Sequence, residues 1–187
     1  MLPLEYPPDI AHRLYPYLVR ERPSPGVAAF AEDIAGRHRR QAVATVFGLT
    51  RSVWEHCRRA YRPDGFPRTP EETLRRGEGA CRDVAVLFID ACRALEIPAR
   101  FVSGYSLAEV IDGEREMHAW AEVFLPGAGW KGFDPSQGCI VSSGHIAVAA
   151  SARPDCAAPV QGDFLGALGT SCAMSYTIGV TPIDAAV

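Results

Sequence analysis

GEGACRDVAVLFIDACRALEIPAR, residues 77–100, is the stretch on which the fold turns. Two glycines, Gly77 and Gly79, lead into Cys81. From there Cys81, Ala85, Phe88, Cys92 and Leu95 recur along one apolar stripe at helical spacing. Pro98 stands beyond the far end, where a helix cannot continue. The segment reads as a helix with Cys81 at or near its N-terminus and Cys92 in the core.

Upstream, the chain signals more helix. Thr69 is a natural N-cap, Pro70 suits the first helical position and Glu72 completes a capping box. Gly77 is placed to stop that short helix. Before it, YRPDGFPR (61–68) turns the chain at Pro63, Asp64 and Gly65. Residues 41–60 predict a helix with Val43, Val46, Phe47, Val53, Trp54 and Cys57 on one apolar face, and 27–39 predict another. Residues 1–26 hold Pro3, Pro7, Pro8, Pro16, Pro23 and Pro25. Proline donates to no ladder, so 1–26 read as a linker or the remnant of a preceding segment, and 27–187 as the domain.

Downstream, the period changes to two. Residues 99–111 predict a strand and Asp112-Gly113 a hairpin turn. EMHAWAEVFL (116–125) is the second strand, Pro126 to Gly129 a turn, and WKGFDPS (130–136) the third. IAVAAS (146–151) and SCAMSYTIGVTPI (171–183) read as two more, with 152–170 as loop. Helices followed by an antiparallel meander indicate an α+β fold.

Composition narrows the function classes. The chain has 187 residues, about half of them hydrophobic, and a net charge of −3. That is enough for one domain with its own core. Paired arginines such as Arg58-Arg59 and Arg75-Arg76 read as solvated helix faces rather than a nucleic-acid patch. No apolar run approaches the roughly 20 residues that span a bilayer. The start, MLPLEYPPDI, lacks a charged then apolar leader, so a cytoplasmic location is expected. The six cysteines include no C-x-x-C pair, which removes the usual support for structural zinc or thioredoxin-like chemistry. Gly127-Ala128-Gly129-Trp130-Lys131-Gly132 formally matches G-x-G-x-x-G, but a strand follows where a dinucleotide site needs a helix.

Cys81 has the setting of a reactive thiol. Unpaired N–H groups of a first helical turn carry partial positive charge, favour a thiolate and can donate to an oxyanion. A base is supplied from the sheet. A tight turn at Pro126–Ala128 sets Leu125 opposite Gly129 and hence Trp120 opposite Asp134. His118 and Asp134 are then diagonal neighbours on one sheet face, roughly 7–8 Å apart and within side-chain reach. An aspartate there can fix the imidazole tautomer. Cys81, His118 and Asp134 are thus the candidate triad. Asp83, in the first helical turn, favours the helix dipole. Glu122 shares the face of His118 and could line the cleft or lie exposed.

The stretch from Tyr61 to Pro135 resembles the bacterial transglutaminase-like family. The resemblance rests on TPEETL (69–74), GACRD (79–83), IPARFVSGY (97–105), HAWAEV (118–123) and GWKGFDPS (129–136). It implies a papain-like core in which a cysteine-bearing helix packs on an antiparallel sheet carrying His and Asp. Carried over, Cys81 is the nucleophile, His118 the general base and acid, and Asp134 the orienting carboxylate. The oxyanion hole would combine the Cys81 backbone N–H with an upstream side chain. Tyr61 is the candidate and Trp54 the competitor. His145-Ile146 matches a segment after the family core, but the Arg-Asp pair expected next is split as Arg153-Pro154-Asp155.

The expected activity is acyl transfer through a thioester on a peptide or protein carboxamide. Water as acceptor gives a protease or amidase, and an amine gives a transglutaminase; hydrolysis is favoured. No cofactor or metal is required, and neither nucleic acid nor membrane is an expected partner. A non-catalytic binding domain that keeps the fold is the alternative, and a redox protein a third reading.

Overall fold

The computed structural model describes residues 1–111, 114–158, 165–167, 169–171, 178 and 179, without the side chains of 108–111 and 114–116. In chain order the elements are α1 (Pro8–Leu14), a 3-10 turn (Tyr15–Tyr17), α2 (Pro25–Arg37), α3 (Ala42–His56), β1 (Arg58–Arg59), α4 (Pro70–Arg76), β2 (Glu78–Gly79) and α5 (Cys81–Ala94). Then come β3 (Ala99–Ile111), β4 (Glu114–Leu125), β5 (Gly129–Asp134), β6 (Cys139–Ile140), β7 (His145–Ser151) and a 3-10 turn (Pro154–Ala157). The fold is α+β. A five-stranded antiparallel sheet runs in the order β6-β5-β4-β3-β7, and β1 and β2 form a small parallel pair.

The local signals act where the sequence places them. Thr69 caps α4 by accepting from the Glu72 N–H at 3.3 Å, Pro70 opens the helix, and Gly77 ends it at φ 62°. Glu72 itself pairs with Arg76, so only one arm of the expected capping box forms. The hairpin register is the one that the turn length predicts: Leu125 faces Gly129 and Ala121 faces Phe133. Ile111 faces Glu114, while the predicted turn residues Asp112-Gly113 lie outside the described residues. So does most of the strand expected over 171–183.

α5 is the central pillar. Val84, Ala85, Leu87, Phe88, Ala91 and Cys92 are fully or nearly fully buried. They meet the apolar face of β4, where Ala119, Ala121, Val123 and Leu125 join one core cluster with α2 and α3. Phe133 stacks on Phe88 at 6.2 Å from the β5 side. At about 25 cal/mol per Å² of buried apolar surface, this layer is the main source of stability.

Two expectations are corrected. The buried side of α3 is Val46, Leu49, Thr50 and Val53, whereas Val43, Phe47 and Trp54 are about half exposed. The sequence stripe holds Val46, Val53 and Cys57, which are buried, but takes in Val43, Phe47 and Trp54 because apolar residues occur on both faces of this helix. Residues 1–26, which read as a linker, carry α1 and dock on the body. Pro8 takes the first helical position, where its missing N–H costs nothing. Leu2 and Leu14 are buried, Tyr6 donates to the Phe124 carbonyl at 3.0 Å, and Arg20 forks onto Asp90 of α5 at 2.7 and 2.8 Å.

Among the described residues no helix is long and apolar enough to cross a membrane.

Candidate active site

Cys81 is the first residue of α5, with Ala80 as the N-cap position. Alanine offers no capping oxygen, so another group must organise this helix start. Asp83 does so. Its fully buried carboxylate accepts from the Ala80 N–H at 2.9 Å, the Arg68 N–H at 2.8 Å and Arg62 Nη1 at 2.6 Å to each oxygen. Burial would raise the Asp83 pKa, but these donors reverse the effect and lower it. Arg82 donates to the Arg62 and Asp64 carbonyls. The 62–68 turn is thereby clamped on the first turn of α5. Asp83 thus does more than favour a helix dipole, and Gly79 shows why the approach is tight: a Cβ there would sit 2.8 Å from Asp83.

The sheet brings the imidazole. β5 ends at Asp134 and its pairing with β4 begins only at Ala121–Phe133. Residues 118–120 of β4 therefore have no β5 partner. The Cys81 sulfur uses this gap, which sets it beside His118 and the backbone N–H groups of Ala119 and Arg82. Burial alone would push the thiol up, but the imidazole and those two N–H groups prevail and hold the Cys81 pKa below its ordinary value.

His118 is buried, and its Nε2 lies 2.6 Å from Asp134 Oδ2. With Nε2 committed to the carboxylate, Nδ1 is the ring nitrogen left to face the thiol. Burial disfavours the charged ring, yet Asp134 and Cys81 together raise the His118 pKa to about 9. Both shifts favour a thiolate–imidazolium pair over the neutral pair.

Asp134 is fully buried and well supplied with donors. Oδ1 accepts from the Ser136 N–H at 3.0 Å, the Ser136 hydroxyl at 2.7 Å and the Gln137 N–H at 3.2 Å. Oδ2 takes His118 and also His145 Nε2, at 3.2 Å. Burial would raise its pKa, but the two histidines and Ser136 hold the carboxyl well below the usual range. His145 is the residue that sequence reasoning missed. Its match to a family segment marked the position, but no local pattern links the start of β7 to the end of β5.

His118, Asp134 and His145 offer three ligand atoms within 4.8 Å of one another. That spacing could suit a cation. Here the two imidazoles already donate to the one carboxylate, and the cluster is satisfied as a hydrogen-bonded group.

The oxyanion candidates differ in their neighbours. Tyr61 follows β1, whose neighbour β2 leads into Cys81; the Ala60 N–H donates to the Gly79 carbonyl at 2.9 Å, and the Tyr61 ring is 60% exposed. Trp54 is not a core residue. Its indole lies against Gly138, where a Cβ would meet it at 2.7 Å, in the loop that follows Asp134. Glu122 is bound to Arg100 at 2.7 Å, and Arg100 lies over Trp130, so it is held away from the dyad. Cys57 and Cys92 are buried core thiols, and burial pushes the pKa of Cys57 up to about 11.

Comparison with known proteins agrees with this architecture. The profile of the Transglutaminase-like superfamily matches residues 28–135. The uncharacterized protein ML0607 of Mycobacterium leprae is 27% identical over 150 residues, covering 75% of this chain and 50% of that protein. The chain thus spans half the length of that relative. Among solved structures, a Cytophaga hutchinsonii protein whose assignment as a cysteine protease is itself provisional superposes with a TM-score of 0.66 at 23% identity, over 83% of this chain and 53% of that one. The periplasmic domain of TgpA from Pseudomonas aeruginosa gives 0.54 at 25% identity, over 68% and 48%. Calcium-bound LapG from Legionella pneumophila gives 0.53 at 14%, over 75% and 83%.

Proposed function

Because this chain belongs to the Transglutaminase-like superfamily, we propose that it is a cysteine-nucleophile enzyme acting on a peptide or protein carboxamide. The observation that carries the reading is the sulfur at the head of α5, set beside an imidazole whose far nitrogen is 2.6 Å from a buried carboxylate. Cys81 Sγ attacks the carbonyl carbon, and the carbonyl oxygen becomes an oxyanion. The Cys81 N–H, unpaired by its place in the first turn, is one donor to it, and Tyr61 is the proposed second. As the C–N bond breaks, His118 gives its proton to the departing amine and leaves a thioester on Cys81. Water then attacks the thioester, His118 takes its proton, and the acid departs as the thiol is restored. Asp134 keeps the ring oriented throughout.

Hydrolysis is the proposed outcome because water is always present, with an amine acceptor as the competing route. The chemistry needs a reduced thiol, and Cys57, Cys81, Cys92, Cys139 and Cys156 are all free. A reducing compartment such as the cytoplasm suits that requirement.

Iodoacetamide tests the reading. At pH 6, Cys81 is expected to alkylate well ahead of the exposed Cys156, by peptide mass spectrometry. Equal rates at the two positions would instead favour a binding domain that keeps the fold. Peptide libraries then separate the acceptors: hydrolysed products mark water, and incorporation of a labelled amine marks transamidation.

A further inference from the structure

The crossover from β6 to β7 carries His145 over the sheet to the catalytic carboxylate. Val141 packs on Gly132 and its N–H donates to the Gly132 carbonyl at 3.0 Å. The chain then turns, with the His145 N–H on the Ser142 carbonyl at 3.0 Å. The Ser142 N–H in turn donates to His145 Nδ1 at a long 3.4 Å. That bond assigns Nδ1 as the acceptor and Nε2 as the protonated nitrogen. Nε2 points at Asp134 Oδ2, the same oxygen that receives His118. The His145 side chain is only 5% exposed, and its ring stands edge-on to Trp120 at 5.3 Å. Gly104 permits this packing, since a Cβ there would collide with the Ile146 carbonyl at 2.0 Å.

We propose that His145 is a positioning residue for the acyl-transfer reaction, dividing the charge of Asp134 Oδ2 between two imidazoles so that His118 is oriented without being held too tightly. This rests on the cysteine-nucleophile reading and deepens it. A carboxylate oxygen that receives two N–H donors pulls less strongly on each. His118 must release its proton to the leaving amine, so a partner shared with His145 eases that step. Among the described residues, Cys81 from α5, Asp134 from β5 and His145 from β7 face His118. Cys139 of β6 is also near enough to feel the Asp134 charge. His145 is the one whose removal changes the carboxylate without touching sulfur or base.

The test is the pH profile of Cys81 alkylation in three full-length proteins. His145→Phe keeps a ring against Trp120 but has no donor, and His145→Gln restores an N–H. In the wild type the alkaline limb reports loss of the His118 proton. In the Phe variant that limb is expected to move to higher pH by about half a unit, because Asp134 then bears on His118 alone. The Gln variant should return toward the wild type. A Phe profile that overlays the wild type, or moves to lower pH, overturns the proposal. A second measurement needs no variant. Nitrogen-15 spectra of the wild-type ring are expected to show the Nε2–H tautomer, and an Nδ1–H tautomer would also overturn it. Failure of the underlying enzyme reading looks different: Cys81 would then show no preferential alkylation in the wild type.

Discussion

The two faces of β4 divide the labour of this molecule. Ala119, Ala121, Val123 and Leu125 point to the helices and merge with α5, α2 and α3 in one apolar core. His118 and Trp120, which alternate with them along the strand, point to the opposite face and meet Asp134 and His145. Both sets are buried, yet only one is apolar. Burial of the first set stabilises the fold without direction. Burial of the second is costly for a polar atom left unpaired, as Trp120 Nε1 is, whereas Asp134 has donors on both oxygens. One strand thus serves stability and chemistry by alternation, and the chemical face needs a prebuilt network before it can be dry.

That division can be attacked from either side. The largest effect is expected on the polar face. His118→Gln removes the partner that lowers the Cys81 pKa, and alkylation of Cys81 at pH 6 should fall roughly 10²-fold, the change in thiolate fraction on returning to an ordinary thiol. The apolar face should keep that variant folded. If reactivity at pH 6 survives, the helix start alone activates the sulfur and the polar face is dispensable.

On the apolar face, Phe88→Ala empties the space beneath Phe133 and should lower stability by about 3–5 kcal/mol in urea denaturation. The pH dependence of Cys81 alkylation in the remaining folded protein should keep its shape. A changed shape would mean that the core and the site are mechanically coupled through Phe133 to Asp134, and the two faces would no longer be separate.

The smallest effect joins the faces through pH. His118 has a folded pKa of about 9, above its ordinary value of about 6.5. Its contribution to stability is full below pH ~6.5 and lost as pH rises through about 9. Asp134 is shifted the other way, so its contribution holds above pH ~4 and fades as pH falls toward its depressed value. Cys81 is shifted downward, so its contribution grows as pH rises toward the ordinary thiol value of about 8.5 and offsets the His118 loss up to there. The melting temperature by calorimetry should therefore fall above about pH 8.5 in the wild type. The fall should be smaller in His118→Gln. Equal falls in both proteins would place the alkaline loss elsewhere.

Much of this was legible before any coordinates. Thr69, Pro70 and Gly77 delimit α4 by capping chemistry that acts within a few residues. The stripe from Cys81 to Leu95 announces α5, and the Pro126–Ala128 turn fixes the β4–β5 register. Those are short-range causes, so the sequence carries them openly. The buried side of α3 was read half correctly, with Val46, Val53 and Cys57 inside but Val43, Phe47 and Trp54 outside, because both faces are apolar and only the arrival of α2 and α5 selects one. Residues 1–26 read as a linker because their anchors, Asp90 and the Phe124 carbonyl, lie far along the chain.

Sequence by itself determined the α+β class, the cysteine at a helix start, and the pairing that lets His118 and Asp134 share a sheet face. Tertiary structure decided the rest: that β5 stops early enough to leave the Ala119 N–H for the sulfur, that Asp83 binds Arg62 and Arg68 beneath Cys81, and that β7 delivers His145 to Asp134. Each of these depends on which distant segments become neighbours. Periodicity and capping act along the chain, whereas desolvation and shared hydrogen bonds exist only once the chain has closed on itself.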